Sequence, residues 1–470
     1  MAEQGAPAVV WFRDDLRVSD NPALREAVDS GRPVVCVYVL DDSGGAGRAL
    51  GAASRWWLHH SLDALDASLR KRGARLVLRH GDGAAEITTV LRETGAALLT
   101  MNRRTAHAER EEDDRVRRAA ERSDVAVSSH LASLLHEPGD VLTGEGERFA
   151  VFTPFSAALT RRGAPREPMA APGSIEGWPG RLHSEQLAAL QLLPTRPDWS
   201  GGLAETWTPG EKGAHQRIDD FVRHRLARYA AHRDEPAAEV TSRLSPHLRF
   251  GEVSPYQLWH RVQEAAAPVE VRTKFLTELA WREFDYDLLD SHPDLEDVNV
   301  HRQFDAFPWA EPDEDVLRAW QHGRTGIPLV DAGMRQLWAT GWMHNRVRMV
   351  VASFLVKNLR LDWRLGERWF WDTLVDADPA NNAAQWQWVA GSGADAAPYF
   401  RVFNPTLQAR KFDPSGEYIV RWVPELRTLD ARGRHEPWTA GEAAADYPAP
   451  IVDLKTSRKA ALDAHQRMRD

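Results

Sequence analysis

Cysteine is nearly absent. The 470 residues contain one, Cys36, so neither an intramolecular disulfide nor a thiolate metal site can form, which excludes disulfide-stapled secreted scaffolds, zinc ribbons and iron–sulfur proteins. Long apolar runs are absent as well: none approaches the roughly 18 residues that span a bilayer. The start, MAEQGAPAVVWFRDD, has no basic region leading into an apolar one. The expectation is a cytoplasmic protein with no membrane association. A large charge of one sign is also missing. The net charge is −9, from 59 Lys and Arg against 68 Asp and Glu, which argues against coating nucleic acid non-specifically but leaves room for a local basic surface. No GxGxxG follows the first strand, no GxxxxGK[ST] occurs, and the 18 histidines form no HExxH. A dinucleotide or triphosphate site of the usual kind and a metal centre are therefore not expected.

What is present is a globular composition, 43% hydrophobic and 27% charged, and two contrasting halves. Over residues 1–137, short β-branched runs alternate with helical patterns. Val9 to Phe12, Val34 to Leu40, Arg75 to Leu78, Ala97 to Met101 and Val125 to Val127 read as buried strands. Asp20, Asn21 and Pro22 provide a cap with proline in the first turn, and Gly73 and Gly95 stand where helices from about 53 and 84 should stop. This alternation implies an α/β domain with a doubly wound parallel sheet. Residues 138–212 are rich in Gly and Pro and read as a long surface connector. From 213 to 470 the pattern is all-α, with segments Gln216 to Ala231, Val271 to Leu289, Asp313 to His322, Pro328 to Thr340 and Arg346 to Asn358. Most of the 19 tryptophans lie in this second half, where they either fill a helical core or serve stacking and electron transfer.

Four clusters in the helical half combine charge, amide and aromatic groups. Hydroxyls beside Arg243 in Thr241-Ser-Arg-Leu-Ser245 suit a phosphate, or a helix N-cap. Glu278, Trp281 and Arg282 fall at i, i+3 and i+4, so a helix shows them on one face, fit either to bind, stack on and neutralise a nucleotide or to form an ion pair over an indole. Asn345 and Met349 share another face while Arg346 points elsewhere. Between Trp320 and Arg364, seven Lys or Arg stand against two Asp, a candidate DNA-facing patch. Trp386 and Trp388, about 200° apart on a helix, must face different surroundings.

Taken in order, from VVWFRDDLRVSDNPAL to RVFNPTLQARKFDPSGEYIVRWVPEL, these motifs resemble the photolyase/cryptochrome family over nearly the whole chain. The resemblance implies an α/β domain that carries, in some members, a light-harvesting chromophore of folate or deazaflavin type, and a large all-α domain that holds FAD in a bent conformation. Tyr229, Thr241, Ser242, Arg243, Leu244 and Ser245 then correspond to contacts with the FAD phosphates and ribityl chain. Asp376, Ala377 and Asp378 correspond to contacts beside the adenine, ribose and flavin ring. Arg348 matches the arginine that pairs with Asp376, and Asn382 matches an asparagine near flavin N5. Trp386, Trp363 and Trp309 match the chain that carries electrons to a photo-oxidised flavin.

The same resemblance implies a substrate and a reaction. Glu278, Trp281, Asn345, Met349 and Trp388 match the pocket pattern of cyclobutane pyrimidine dimer photolyases, and Arg233, Arg282, Arg346 and Arg401 match contacts to DNA or the lesion. The reaction expected is light-driven repair of a flipped-out dimer in UV-damaged DNA by a monomer, with an electron lent by reduced flavin and returned. Photolyases for (6-4) photoproducts have His in place of Asn345, in a run HHLARH where this sequence reads HNRVRM. Plant-type cryptochromes, blue-light receptors, share QLWATGWMHNR and WFWDTLVDAD closely. They carry Asp for Asn382, Tyr for Trp388 and Val for Met349, however, and a long signalling tail. A generic flavin oxidoreductase would need a nicotinamide motif, which is missing. For the light-harvesting chromophore, the folate-binding Asn-Glu pair is reduced here to Ala108-Glu109. Trp56, Trp57 and His59 offer a stacking platform, or belong to a helix that buries its aromatics.

Overall fold

In the computed structural model, residues 5–42, 44, 47–395 and 400–469 are described. Five strands form where the β-branched runs stand: β1 Ala8–Phe12, β2 Val34–Leu40, β3 Leu76–His80, β4 Leu98–Asn102 and β5 Ala126–His130. They make one parallel sheet in the order β3-β2-β1-β4-β5. β1 and β2 are buried along their whole length, as expected of strands covered on both faces by crossover helices. The helix Pro22–Asp29 begins on Asn21, whose side chain accepts from the Leu24 N–H at 3.1 Å. The helix Gly83–Thr94 ends on Gly95 at φ 62°, a left-handed turn that favours glycine.

The chain forms two compact units. The first comprises Met1–Phe149, Thr153–His224 and Ser242–Pro293; the second comprises Ala150–Phe152, Arg225–Thr241 and Asp294–Asp470. The Gly- and Pro-rich region is not wholly irregular, for it contains the ten-residue helix Phe152–Arg161 and a bridge between Val34 and Gly177. After β5, no further strand occurs among the described residues beyond isolated bridges. The second half is helical as its periodicity implies: Val269–Ser291, Glu314–Gln321, Pro328–Thr340, Asn345–Ser353, Trp363–Thr373 and Asn381–Ala390. Two expected helices contain π-helical turns, Phe221–Arg225 and Phe354–Asn358, a distortion that apolar periodicity does not reveal. The core of the second unit gathers Trp320, Trp363, Trp371 and Trp386 with aliphatics such as Val350, Val351 and Leu355. No helix among the described residues is long and apolar enough to cross a membrane.

Candidate functional site

In the second unit, the tryptophans named for electron transfer occupy three different environments. Trp386, on Asn381–Ala390, is buried with its ring edge-on to Phe370 at 5.0 Å and to Trp320 at 6.3 Å. Gly366 makes room for it, because a Cβ there would lie 2.1 Å from Trp386 Cη2. Trp363 is fully buried and donates from Nε1 to Asn299 Oδ1 at 3.0 Å. Trp309 is half-buried with its ring 4.5 Å from Phe307. Trp388, two residues beyond Trp386, is half-buried and donates to the Asp395 carbonyl. The i, i+2 spacing thus does divide the two indoles between surroundings. Trp320 and Phe370, which frame Trp386, were not singled out in the sequence; only their side-chain class marks them.

Around the start of Asn381–Ala390, polar groups are fixed by the chain itself. Asp378 Oδ1 accepts from the N–H groups of Ala380 and Asn381 and from Asn381 Nδ2, at 2.8–2.9 Å, and so fixes the turn that leads into the helix. Asn382 Nδ2 donates to Glu367 Oε1 at 2.7 Å and to the Glu367 carbonyl at 3.0 Å. This assigns the amide flip: among the described residues nothing donates to Asn382 Oδ1. Asp376 is buried and takes both of its near contacts from Arg348 Nη2, at 2.8 and 3.1 Å, while Arg348 Nε donates to the Met343 carbonyl. Ala377 is buried between the two acids. The expected Arg348 and Asp376 pair is thus assembled, and a partner that the sequence did not suggest, Glu367, holds Asn382.

Asn345 is exposed at the first turn of Asn345–Ser353, and His344 caps that helix by accepting from the Arg346 N–H at 3.2 Å. Met349 follows one turn later, half-buried, its sulfur 3.7 Å from Arg346 Nη1. Arg346 also bonds Asp234 at 3.0 Å and lies 4.5 Å over the Phe412 ring. Arg233 sits 5.3 Å over the ring of buried Tyr229, and exposed Arg401 sits 5.9 Å from the Phe403 ring. Thr241 is half-buried in the same unit.

The basic stretch between Trp320 and Arg364 does not form one free patch. Arg335 pairs with Glu425, Arg346 with Asp234, Arg348 with Asp376 and Arg364 with Asp362. Lys357 is buried, its amine donating to the Ala390 carbonyl and lying 3.2 Å over the Phe400 ring, and desolvation holds its pKa well below the usual value.

The remaining candidates belong to the first unit. Glu278 and Trp281 are half-buried on Val269–Ser291, Trp281 edge-on to Phe284. Arg282, on the same turn, is directed inward: Nη1 donates to the Ser133 carbonyl at 2.6 Å and the guanidinium packs over Tyr286 at 4.7 Å. Beside it, burial pushes the Glu283 carboxyl up to about 7, opposed by Arg282 and by the N–H groups of Leu135 and His136 that donate to Oε2. In the loop 242–245, Arg243 adopts φ 53°, Leu244 is buried and Ser245 is exposed. The Trp56 and Trp57 platform is not formed. Both rings are buried, and Trp57 donates to Glu252 at 3.0 Å and packs on Trp207, His247 and Phe250, so the helix buries its aromatics instead. Glu109 accepts from the Ala106 N–H, and desolvation raises its carboxyl to about 7 against the pull of Arg104.

Between β1 and β4 the strand order reverses, the place where such sheets take ligands. There Arg13 and Arg104 lie over Trp11 at 4.1 and 5.3 Å, and Arg104 bonds buried Glu112 at 2.7 Å. Trp11 Nε1, Arg104 Nε and Glu112 Oε1 are enclosed without hydrogen-bond partners. Among the described residues, no group of His, Cys, Asp or Glu is arranged to hold a metal.

A parallel α/β sheet joined to a tryptophan-rich helical unit, with acids and an amide fixed around one helix start, has a counterpart among known proteins. Residues 8–173 match the DNA photolyase family model and residues 275–467 match the FAD binding domain of DNA photolyase. The deoxyribodipyrimidine photo-lyase of Agrobacterium fabrum is 47% identical over 99% of this chain and 98% of its own. Cryptochrome-1 of Arabidopsis thaliana is 37% identical over 99% of this chain and 71% of its own. A crystal structure of a bacterial class III photolyase from Agrobacterium tumefaciens superposes with a TM-score of 0.96 at 47% identity, covering 100% of this chain and 99% of that one. The chain belongs to the photolyase/cryptochrome family, and it is an FAD-binding enzyme of the DNA photolyase type.

Proposed function

We propose that this protein repairs cyclobutane pyrimidine dimers in UV-damaged DNA, driven by blue light. The observation that carries the reading is Asn382, a neutral amide whose flip is set by Glu367 and whose Oδ1 is left to accept. A carboxylate there would repel an anionic reduced flavin unless protonated; an amide oxygen accepts an N–H without that repulsion. The donor set fits FAD. Asp376, Ala377, Asp378 and Arg348, with Tyr229, Thr241, Ser242, Arg243, Leu244 and Ser245, would hold it through phosphate-binding donors and buried acids. When bound and reduced, FAD would supply one-electron photochemistry, an electron lent and returned, for splitting the cyclobutane bonds with no net redox change.

The rest of the reading rests on the protein's own groups. Glu278 and Asn345 hydrogen-bond pyrimidine edges, Trp281 and Trp388 stack on the lesion, and Met349 packs against it. Arg233, Arg282, Arg346 and Arg401 steady the DNA. Flipping a dimer out costs less than flipping an intact pair, because it already stacks and pairs badly. Trp386, Trp363 and Trp309 relay electrons inward when the flavin is oxidised. One concave site needs no symmetry, so a monomer suffices. A division at 137 and 212 places a second, light-harvesting chromophore of folate or deazaflavin type in the first part. The enclosed polar atoms of Trp11, Arg104 and Glu112 fit a heterocycle with complementary donors and acceptors.

The alternative is a blue-light photoreceptor, favoured by the likeness to a plant cryptochrome and disfavoured by Asn382, Trp388 and Met349. The test is loss of cyclobutane dimers from UV-irradiated oligo(dT) with reduced holoprotein, in blue light and in darkness. Repair in light only supports the reading. Flavin photoreduction with no repair and no binding of the lesion moves the protein to the photoreceptor side.

A further inference from the structure

The second unit has a hollow of about 790 Å³, within the size range of small-molecule pockets, whose lining shares no residue with those assigned above to flavin, lesion or electron transfer. One wall is Trp338, on Pro328–Thr340. It is 54% exposed, yet its ring is held nearly parallel to that of Trp369, at 7° and 6.1 Å, with His322 edge-on to both at 6.0 and 6.4 Å. A large indole presented to solvent on a fixed backing is a stacking surface.

Two cations border the same hollow. Arg335 is immobilised by the Gly323 carbonyl at 3.0 Å and by Glu425 at 2.7 Å. Arg324 is exposed, and its side chain makes no hydrogen bond or ion pair among the described residues. Asp446 supplies an exposed acceptor. With Glu425 neutralised by Arg335 and Asp446 offsetting Arg324, the lining lacks the basic track that a long polyanion requires. It suits one aromatic ring, one anionic group within reach of Arg324 and a ring amine within reach of Asp446.

The geometry points to a second ligand site that takes a purine nucleotide, its base stacked on Trp338, its phosphate on Arg324 and its amino edge toward Asp446. A nucleotide within a DNA strand offers the same base and phosphate, but the missing basic track favours a free nucleoside monophosphate. The site is independent of the flavin reading, since Trp338, Arg324 and Asp446 have no part in it.

The test uses holoprotein with its flavin bound and 1,N6-etheno-AMP as probe, whose fluorescence is quenched on stacking against indole. Saturable quenching that AMP reverses is expected, weakened about 5- to 100-fold by Trp338→Ala and also weakened by Arg324→Glu. Both positions are exposed, so melting temperature and flavin content should match the parent protein. Displacement by AMP but not by oligo(dA) assigns the site to a free nucleotide; displacement by oligo(dA) at lower concentration assigns it to a strand. Absence of saturable quenching, quenching that survives both substitutions, or adenosine displacing the probe as well as AMP does would each overturn the proposal.

Discussion

Gly366→Ala tests whether the place of Trp386 is set by shape. Gly366 lies inside Trp363–Thr373, where replacing glycine by alanine should by itself stabilise the helix by about 1 kcal/mol. Here the new Cβ would stand 2.1 Å from Trp386 Cη2, 2.5 Å from Cζ3 and 2.6 Å from Leu355 Cδ2. Contacts of ordinary length would require the indole to retreat by more than an ångström, and Phe370 and Trp320 pack against it. Overpacking of this kind costs about 1–3 kcal/mol and sits at the upper end when the neighbours are aromatic and enclosed. After the helix gain is subtracted, a net loss of about 2 kcal/mol remains. For a unit of roughly 200 residues that is a fall of about 4–8 °C in melting temperature. Because the displaced ring is the one proposed to stand first in the electron relay, flavin photoreduction should slow as well. Thermal melts followed by circular dichroism and the rate of flavin bleaching under blue light measure the two effects. A variant that melts higher than its parent and photoreduces at the parent rate would refute the argument, since the helix gain would then be the whole effect.

Trp386→Phe should nearly abolish photoreduction of oxidised flavin while chemically reduced protein still repairs dimers; equal loss of both activities would mean that the residue acts on binding instead. Arg348→Met leaves the buried Asp376 carboxylate without its cation, at a cost of about 2–3 kcal/mol given that Arg348 is 25% exposed, and should lower both melting temperature and flavin content of purified protein. Unchanged values in both would remove Arg348 from the cofactor site. Glu283, pushed up to about 7 from 4.5, disfavours the folded state in its charged form. Its penalty is absent below about pH 4.5, grows as pH rises to 7 and is constant above, reaching about 3 kcal/mol. Glu283→Gln should therefore gain stability relative to the parent between pH 5 and 7.5, read by urea denaturation at several pH values, and a constant difference across that window would contradict the burial argument.

The sequence alone determined the local elements. β-branched runs placed all five strands, the Asn21-Pro22 pair placed a helix start, and Pro328 to Thr340 was delimited to the residue, because strand, cap and proline signals act between neighbours. The order of motifs also determined the family, since long runs of matching residues do not depend on packing. Tertiary structure alone decided the rest. The strand order that sets β1 in the centre is a property of pairings between distant segments. So is the attachment of Asn382 to Glu367, fifteen residues away across two helices, and of Trp363 to Asn299. The seven basic residues between Trp320 and Arg364 read as a patch, yet four of them pair with acids and Lys357 is buried against the Ala390 carbonyl, and Arg282 shared a helical face with Glu278 in projection yet was drawn inward by the Ser133 carbonyl. Trp57 could be read as a platform or, more readily, as core, and Glu252, from elsewhere in the chain, satisfies its N–H in the core. A side chain's direction on a helix is fixed locally, but whether that direction meets solvent, a partner or another ring depends on which distant element packs against it.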